Sequence, residues 1–219
     1  MKRVGIILSG CGVFDGTEIH EAVLTLLAVD KAGARAICLA PNVDQAKVTN
    51  HLTGEDTADT RNVLVESARV ARGDIRDLAS VHAAELDAVV LPGGDGAVLN
   101  LSDFAGRGAG CRVHPEVDRL LREMLEQRKP IGALCIAPGT LARVLQGAGV
   151  SARLTIGTDK STAGTLEEMG HRHVECAVNE ALVDEEHKIV TSPAYMSTCR
   201  ISEVAASVEA LVREVLQRA

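Results

Sequence analysis

The sequence predicts an α/β fold, a doubly wound and mostly parallel sheet with helices on both faces, carried by one domain spanning residues 1–219. Three observations predict it. Short aliphatic runs alternate with longer stretches of helical periodicity, Gly and Pro mark the ends of the runs, and the runs themselves are continuously apolar rather than alternating. The last feature implies strands buried on both sides, as in parallel sheets. With 46% hydrophobic and 24% charged residues the chain has the composition of an ordinary globular protein, and with only 1% aromatic residues its core is built from Val, Leu, Ile and Ala.

The first strand is expected over Arg3–Ser9, followed by a Gly-rich loop. Thr17 is expected to cap the next helix, which carries Glu18 and Glu21 in its first turn and stops at Gly33. A second strand follows over Ala34–Ala40, completing a βαβ unit. The stretch from Pro41 to Asp59 is polar and reads as an irregular connection leading to a helix over Arg61–Arg72. The next strand, Leu86–Leu91, ends in Pro92-Gly93-Gly94, a sequence suited to a tight turn with close backbone approach. An amphipathic helix is expected over Pro115–Gln127, then a strand over Ile131–Leu134 and a helix from Pro138 to about Leu145. The last third holds a strand over Arg153–Ile156, a helix over Thr162–Met169, a hairpin turning at Asp184–His187 with Ile189–Thr191 as its second arm, and a closing helix over about Thr198–Gln217.

A net charge of -7 with scattered Lys and Arg argues against nucleic acid as a partner. No apolar run approaches the roughly 20 residues that span a bilayer, so no membrane association is expected. The first apolar segment is short and ends in Ser9-Gly10-Cys11-Gly12, unlike a secretory signal, and on this ground the protein is expected to be cytoplasmic. Six cysteines at 11, 38, 111, 135, 176 and 199 form no C-x-x-C pair and no disulfide framework.

Cys135 stands apart from the other five. It falls at the carboxyl end of an expected strand, where ligands bind in doubly wound sheets, and at the start of a helix whose dipole and free N–H groups favour a thiolate. That makes it a candidate nucleophile. The Gly93-Gly94 turn of a neighbouring strand would supply backbone N–H groups, and Gly94 together with the Ile136 amide would form an oxyanion hole. The plain alternative is a buried thiol packing as a small hydrophobe.

The run Leu91-Pro92-Gly93-Gly94, then Asn100-Leu101-Ser102, then Ile131 to Pro138 resembles the PfpI branch of the class I glutamine amidotransferase-like superfamily. Within it, Ser9 to Gly16, His51 to Glu55, Arg61 to Glu66, Leu154 to Asp159 and Thr191 to Met196 resemble the ElbB subfamily, over essentially the whole chain. The resemblance implies a flavodoxin-like fold, a homodimer, and glyoxalase (lyase) activity without glutathione, metal or other cofactor, turning glyoxal or a related small dicarbonyl into the hydroxy acid. It places the reactive cysteine at Cys135 and its acidic partner at Glu21, with Glu18 as rival one turn away. Both acids also suit a plain role at the helix dipole. Ile136 stands where protease-like relatives carry a His, which puts peptidase chemistry in doubt. The association of such proteins with isoprenoid metabolism names a pathway, not a mechanism.

Competing readings stay open at this level. Cys135 with His173 and Glu175 would make an amidase triad. An oxidisable Cys135 beside a protonated Glu21 would make a redox sensor. His171, His173 and Cys176 have weak metal-binding spacing, and Arg61 opens a helix where a cation is electrostatically out of place.

Overall fold

The structure is a computed structural model, and it describes residues 1–197 and 199–219. In chain order the elements begin with β1 (Arg3–Ile7), α1 (Ile19–Lys31), β2 (Arg35–Ala40), β3 (Val48–Asn50), β4 (Glu55–Thr57), α2 (Val63–Val70), β5 (Ile75–Asp77) and β6 (Ala88–Leu91). They continue with α3 (Gly96–Leu99), α4 (Phe104–Arg107), α5 (Pro115–Glu126), β7 (Ile131–Leu134), α6 (Pro138–Gly147) and β8 (Arg153–Leu154). The last are α7 (Lys160–Glu168), β9 (Arg172–His173), β10 (Leu182–Asp184), β11 (Ile189–Ser192) and α8 (Ile201–Arg218).

Seven strands form one sheet in the order β10-β11-β7-β6-β1-β2-β5, parallel throughout except for the β10–β11 hairpin at one edge. The expected doubly wound architecture is what the chain adopts. Strands β6, β7 and β11 are buried along their whole length, because helices cover both faces of the sheet. On one face α5 and α6 bring Leu120, Leu121, Met124, Leu141 and Leu145 against Leu39, Val89 and Ile131. On the other, α1 and α8 bring Ala22, Val29, Val204, Val208 and Leu211 against Val4, Ile6 and Val90. At roughly 25 cal/mol per Å² of apolar surface removed from water, these two aliphatic layers are the main stabilising term.

Several boundaries differ from expectation for local reasons. Helix α1 is capped by Glu18, whose Oε2 accepts the Glu21 N–H at 2.7 Å. Thr17 is not the cap, because its hydroxyl is taken by the Ser9 N–H at 2.6 Å, tying the loop after β1 to the strand end. Asn62 and Asp159 cap α2 and α7 through their side chains and fix those starts. The polar segment after Pro41 contains a hairpin, β3–β4, instead of irregular chain alone. Strand β5 went unforeseen; it has three residues and pairs at the sheet edge with β2. The strand expected over Arg153–Ile156 shortens to β8 and pairs with β9, outside the main sheet. The closing helix begins at Ile201, and its expected start at Thr198 lies outside the described residues.

Candidate active site

Strand β7 delivers Cys135 to the carboxyl end of the sheet, and the chain turns there so sharply that Cys135 takes φ +58°. Left-handed backbone is costly for any residue with a β-carbon. The turn is fixed on both sides: the Cys135 N–H donates to the Ser192 carbonyl of β11 at 3.0 Å, and the Ala137 N–H donates to the Leu134 carbonyl at 3.0 Å. Pro138 then opens α6 at a position where its missing N–H costs nothing. The thiol is almost fully buried, and the backbone amides of Gly94 and Ile136 are close enough to favour its thiolate form. Both amides named from the sequence are therefore beside the sulfur.

The other wall comes from the turn after β6. A β-carbon at Gly93 would lie 2.5 Å from Cβ and 3.1 Å from Sγ of Cys135, and 2.8 Å from Oε2 of Glu21. Gly94 has φ +92°, and a β-carbon there would meet the Gly16 carbonyl oxygen at 2.5 Å. Glycine at 93 is required by close approach, and glycine at 94 by both space and backbone conformation.

Glu21 is completely buried. Its Oε2 accepts the Gly93 N–H at 2.8 Å, its Oε1 accepts the Tyr195 N–H at 3.2 Å, and the carboxyl faces the Cys135 thiol across Gly93. Of the two candidate acids, Glu21 is the one that faces Cys135, while Glu18 is occupied as the α1 cap. The two donors on Glu21 escaped the sequence reading. The only signal for them was the Thr191 to Met196 motif, which marks the Tyr195 turn without revealing that its backbone, not its side chain, faces the acid.

Burial pushes the Glu21 carboxyl up to about 7; the Gly93 and Tyr195 amides oppose the shift and the nearby Glu18 adds to it. Burial, and after it the charge of Glu21, also pushes the Cys135 thiol up, against the pull of the Gly94 and Ile136 amides. The readily ionised thiol expected from the helix start is thus corrected. Two acids in one dry slot resist ionising together, so the pair keeps at least one proton through the neutral range, and that proton stays on the thiol when Glu21 ionises.

The remaining sequence candidates lie apart from this cluster. His171 bonds the Ala142 carbonyl at 2.8 Å, and His173 accepts the Ile156 N–H at 3.4 Å. His173 sits on β9, outside the main sheet, and among the described residues it makes no hydrogen bond to Cys135 or Glu175, so the Cys135–His173–Glu175 arrangement is not assembled. His171, His173 and Cys176 do not assemble, and among the described residues no group of three or more His, Cys, Asp or Glu is arranged to hold a metal. Arg61 lies 3.7 Å from the buried Glu66 of α2, which explains a cation at that helix start. A cleft of about 570 Å³ between the C-terminal ends of α1 and α8 contains none of the Cys135 groups.

A buried thiol on a left-handed elbow, facing an acid from the first helix of a parallel α/β sheet, marks a recognisable class of protein, and a family model agrees. Residues 12–202 match the DJ-1/PfpI family, and the chain belongs to that family, within the class I glutamine amidotransferase-like superfamily. Among curated proteins it is 44% identical to the human "glutamine amidotransferase-like class 1 domain-containing protein 3, mitochondrial", over 98% of this chain and 82% of that one. It is 35% identical to the zebrafish (Danio rerio) "ES1 protein, mitochondrial", over 89% of this chain and 77% of that one. A solved structure from Ehrlichia chaffeensis, described as an isoprenoid biosynthesis protein with an amidotransferase-like domain, superposes with a TM-score of 0.94 at 33% identity and covers 100% of this chain and 99% of that one. Drosophila melanogaster DJ-1beta shares the fold, with a TM-score of 0.56 at 20% identity.

The relatives overturn the cytoplasmic expectation, because the human, rat and zebrafish proteins are all named as mitochondrial. That expectation rested on the composition of the folded domain and its first residues. Organelle addresses are read from separate targeting segments, and the shared domain carries no information about them.

Proposed function

We propose that this chain is a cofactor-independent glyoxalase of the ElbB type, acting on glyoxal or a similarly small dicarbonyl. The observation that carries the reading is that one sulfur, Cys135, meets a carboxyl (Glu21) and two amides (Gly94, Ile136) in a slot with almost no solvent access. Only a compact substrate reaches such a sulfur. Cys135 attacks one aldehyde carbon, its proton passes to the substrate oxygen by way of Glu21, and the amides of Gly94 and Ile136 stabilise the negative charge developing on that oxygen. Glu21 then removes the hydrogen from the sulfur-bearing carbon to give an enediolate and returns it to the neighbouring carbon. The product is a thioester, and water cleaves it to release the hydroxy acid and the thiol. One carbon is oxidised and the other reduced, so no external electron acceptor is needed. A carboxyl held near neutrality suits both the donating and accepting steps.

Cys135→Ser and Glu21→Gln are each expected to lower conversion of glyoxal to glycolate by at least about 100-fold, the scale of a lost nucleophile or general base. Full activity in either variant overturns the assignment. Quantitative peroxide oxidation of Cys135 in a protein that does not turn over glyoxal would favour redox sensing, for which a protonated Glu21 is also suited. Ammonia release from glutamine would favour amidase chemistry.

The homodimer belongs to the same proposal. Ile19, Val23 and Leu27 stand four residues apart on α1 and are each more than 40% exposed, an apolar stripe that a second copy would cover. Light scattering of the purified chain checks it, with a monomer as the contrary result.

A further inference from the structure

Glu21 is held from outside its own helix by two backbone donors of unequal quality. The Gly93 bond is 2.8 Å long and comes from a turn locked beneath α1, where the Glu18 N–H donates to the Gly93 carbonyl at 2.9 Å. The Tyr195 bond is 3.2 Å long and comes from a short 3-10 turn, Ala194–Met196, directly after β11. That turn holds an unfavourable backbone, since Ala194 has φ +43°. Contacts from outside must keep it in place. On one side the Ser207 hydroxyl of α8 accepts the Ala194 N–H at 3.1 Å. On the other the Tyr195 hydroxyl bonds Nδ1 of His20 at 2.8 Å, with the two rings 5.9 Å apart. His20 precedes Glu21 in α1, so this bond spans the same two elements as the Tyr195 amide and the Glu21 carboxyl.

We propose that His20 and Tyr195 are positioning residues: their side-chain bond clamps the Ala194–Met196 turn onto the first turn of α1 and keeps the Tyr195 amide on Oε1 of Glu21. The pair reaches the sulfur only through Glu21. This inference builds on the Cys135–Glu21 reading above, but it makes a claim about Glu21 that needs no substrate to test.

The sign of the effect follows from which form of Glu21 the amide favours. An N–H donor stabilises the carboxylate, so a loosened Tyr195 amide lets Glu21 hold its proton to higher pH. The other ionisable groups facing Glu21 are Glu18 on its own helix, Cys135 on the elbow and Cys199 beyond the turn, with Glu203 of α8 next to Cys199. His20 also lies 4.0 Å from Oε1 of Glu18, so Tyr195→Phe, which leaves that contact in place, is the variant that isolates the amide.

Carboxyl-carbon NMR of glutamate-labelled protein follows this directly, with the signal of Glu21 assigned by its loss in Glu21→Gln. In Tyr195→Phe and in His20→Ala the Glu21 midpoint should rise by about half a unit or more, given that a hydrogen bond to a charged group is worth about one unit when fully lost. The double variant should move no further than either single one. His20→Asn, whose amide can meet the hydroxyl near the place of Nδ1, should return the midpoint towards that of the unaltered protein. Unchanged midpoints in Tyr195→Phe and His20→Ala, or strictly additive shifts in the double variant, overturn the clamp. Because no glyoxal is used, a failed glyoxalase assay and a failed clamp are separate results.

Discussion

Gly93 and Cys135 are packed so closely that hydrogen is the only side chain the first can carry: a β-carbon at 93 would sit 2.5 Å from Cβ of the cysteine. The turn after β6 and the elbow after β7 are therefore mutually fitted across adjacent strands. Gly93→Ala should push the elbow or the Glu21 carboxylate aside by several tenths of an ångström. Displacements approaching 1 Å in a reacting site cost roughly 100-fold in rate. The measurement is glyoxal turnover alongside a denaturation curve, and a variant that folds normally with undiminished turnover would show that the slot is slack.

Burial of Glu21 also makes stability depend on pH in an unusual direction. In the unfolded chain the carboxyl loses its proton near its ordinary value of 4.5, whereas in the fold it keeps it to about 7. Between those values the folded state binds the extra proton. Stability is therefore highest below the lower value, declines as pH rises through the window, and levels off above the upper one. Glutamine cannot ionise, so Glu21→Gln removes the decline. The stability of the variant relative to the unaltered protein should rise by up to about 3 kcal/mol between pH 4 and pH 8. Chemical denaturation at the two pH values checks it, and a constant difference would contradict the raised carboxyl.

Asn100 joins three segments beneath the site. Its amide donates to the Ser9 and Asp15 carbonyls, each at 2.8 Å, and its oxygen accepts the Ala46 N–H at 2.8 Å. The loop carrying Ser9 and Asp15 leads into Glu18 and Glu21, so this side chain steadies the entry to α1. Asn100→Ala leaves these backbone groups without partners and should cost about 2–3 kcal/mol in urea denaturation. A loss below about 0.5 kcal/mol would mean that water replaces the amide.

Much of the architecture was legible because the central strands are buried on both faces and so carry uninterrupted aliphatic runs. Residues Ile131 to Leu134 are the clearest case, and their boundaries match the expectation at both ends. Strand β5 was illegible for the opposite reason: Ile75-Arg76-Asp77 is a half-buried edge segment with a single apolar residue and no periodicity to detect. At the site, the elbow cysteine and its two amides could be placed from turn chemistry and chain order. The preference for Glu21 over Glu18 rested on the family resemblance alone, since by spacing two acids three apart on one helix are equivalent until the cap is seen. The balance of charge on Cys135 was also beyond reach, because it depends on burial and on a neighbour 114 positions away in the chain.

The left-handed backbone at Cys135 sets chemistry against folding at a single position. Glycine would relax there at no steric cost, and a chain under no demand except durability would gain by taking it. Cysteine in that place keeps its sulfur turned into the slot between two neighbouring loops by a bend that nothing in the architecture of the sheet requires.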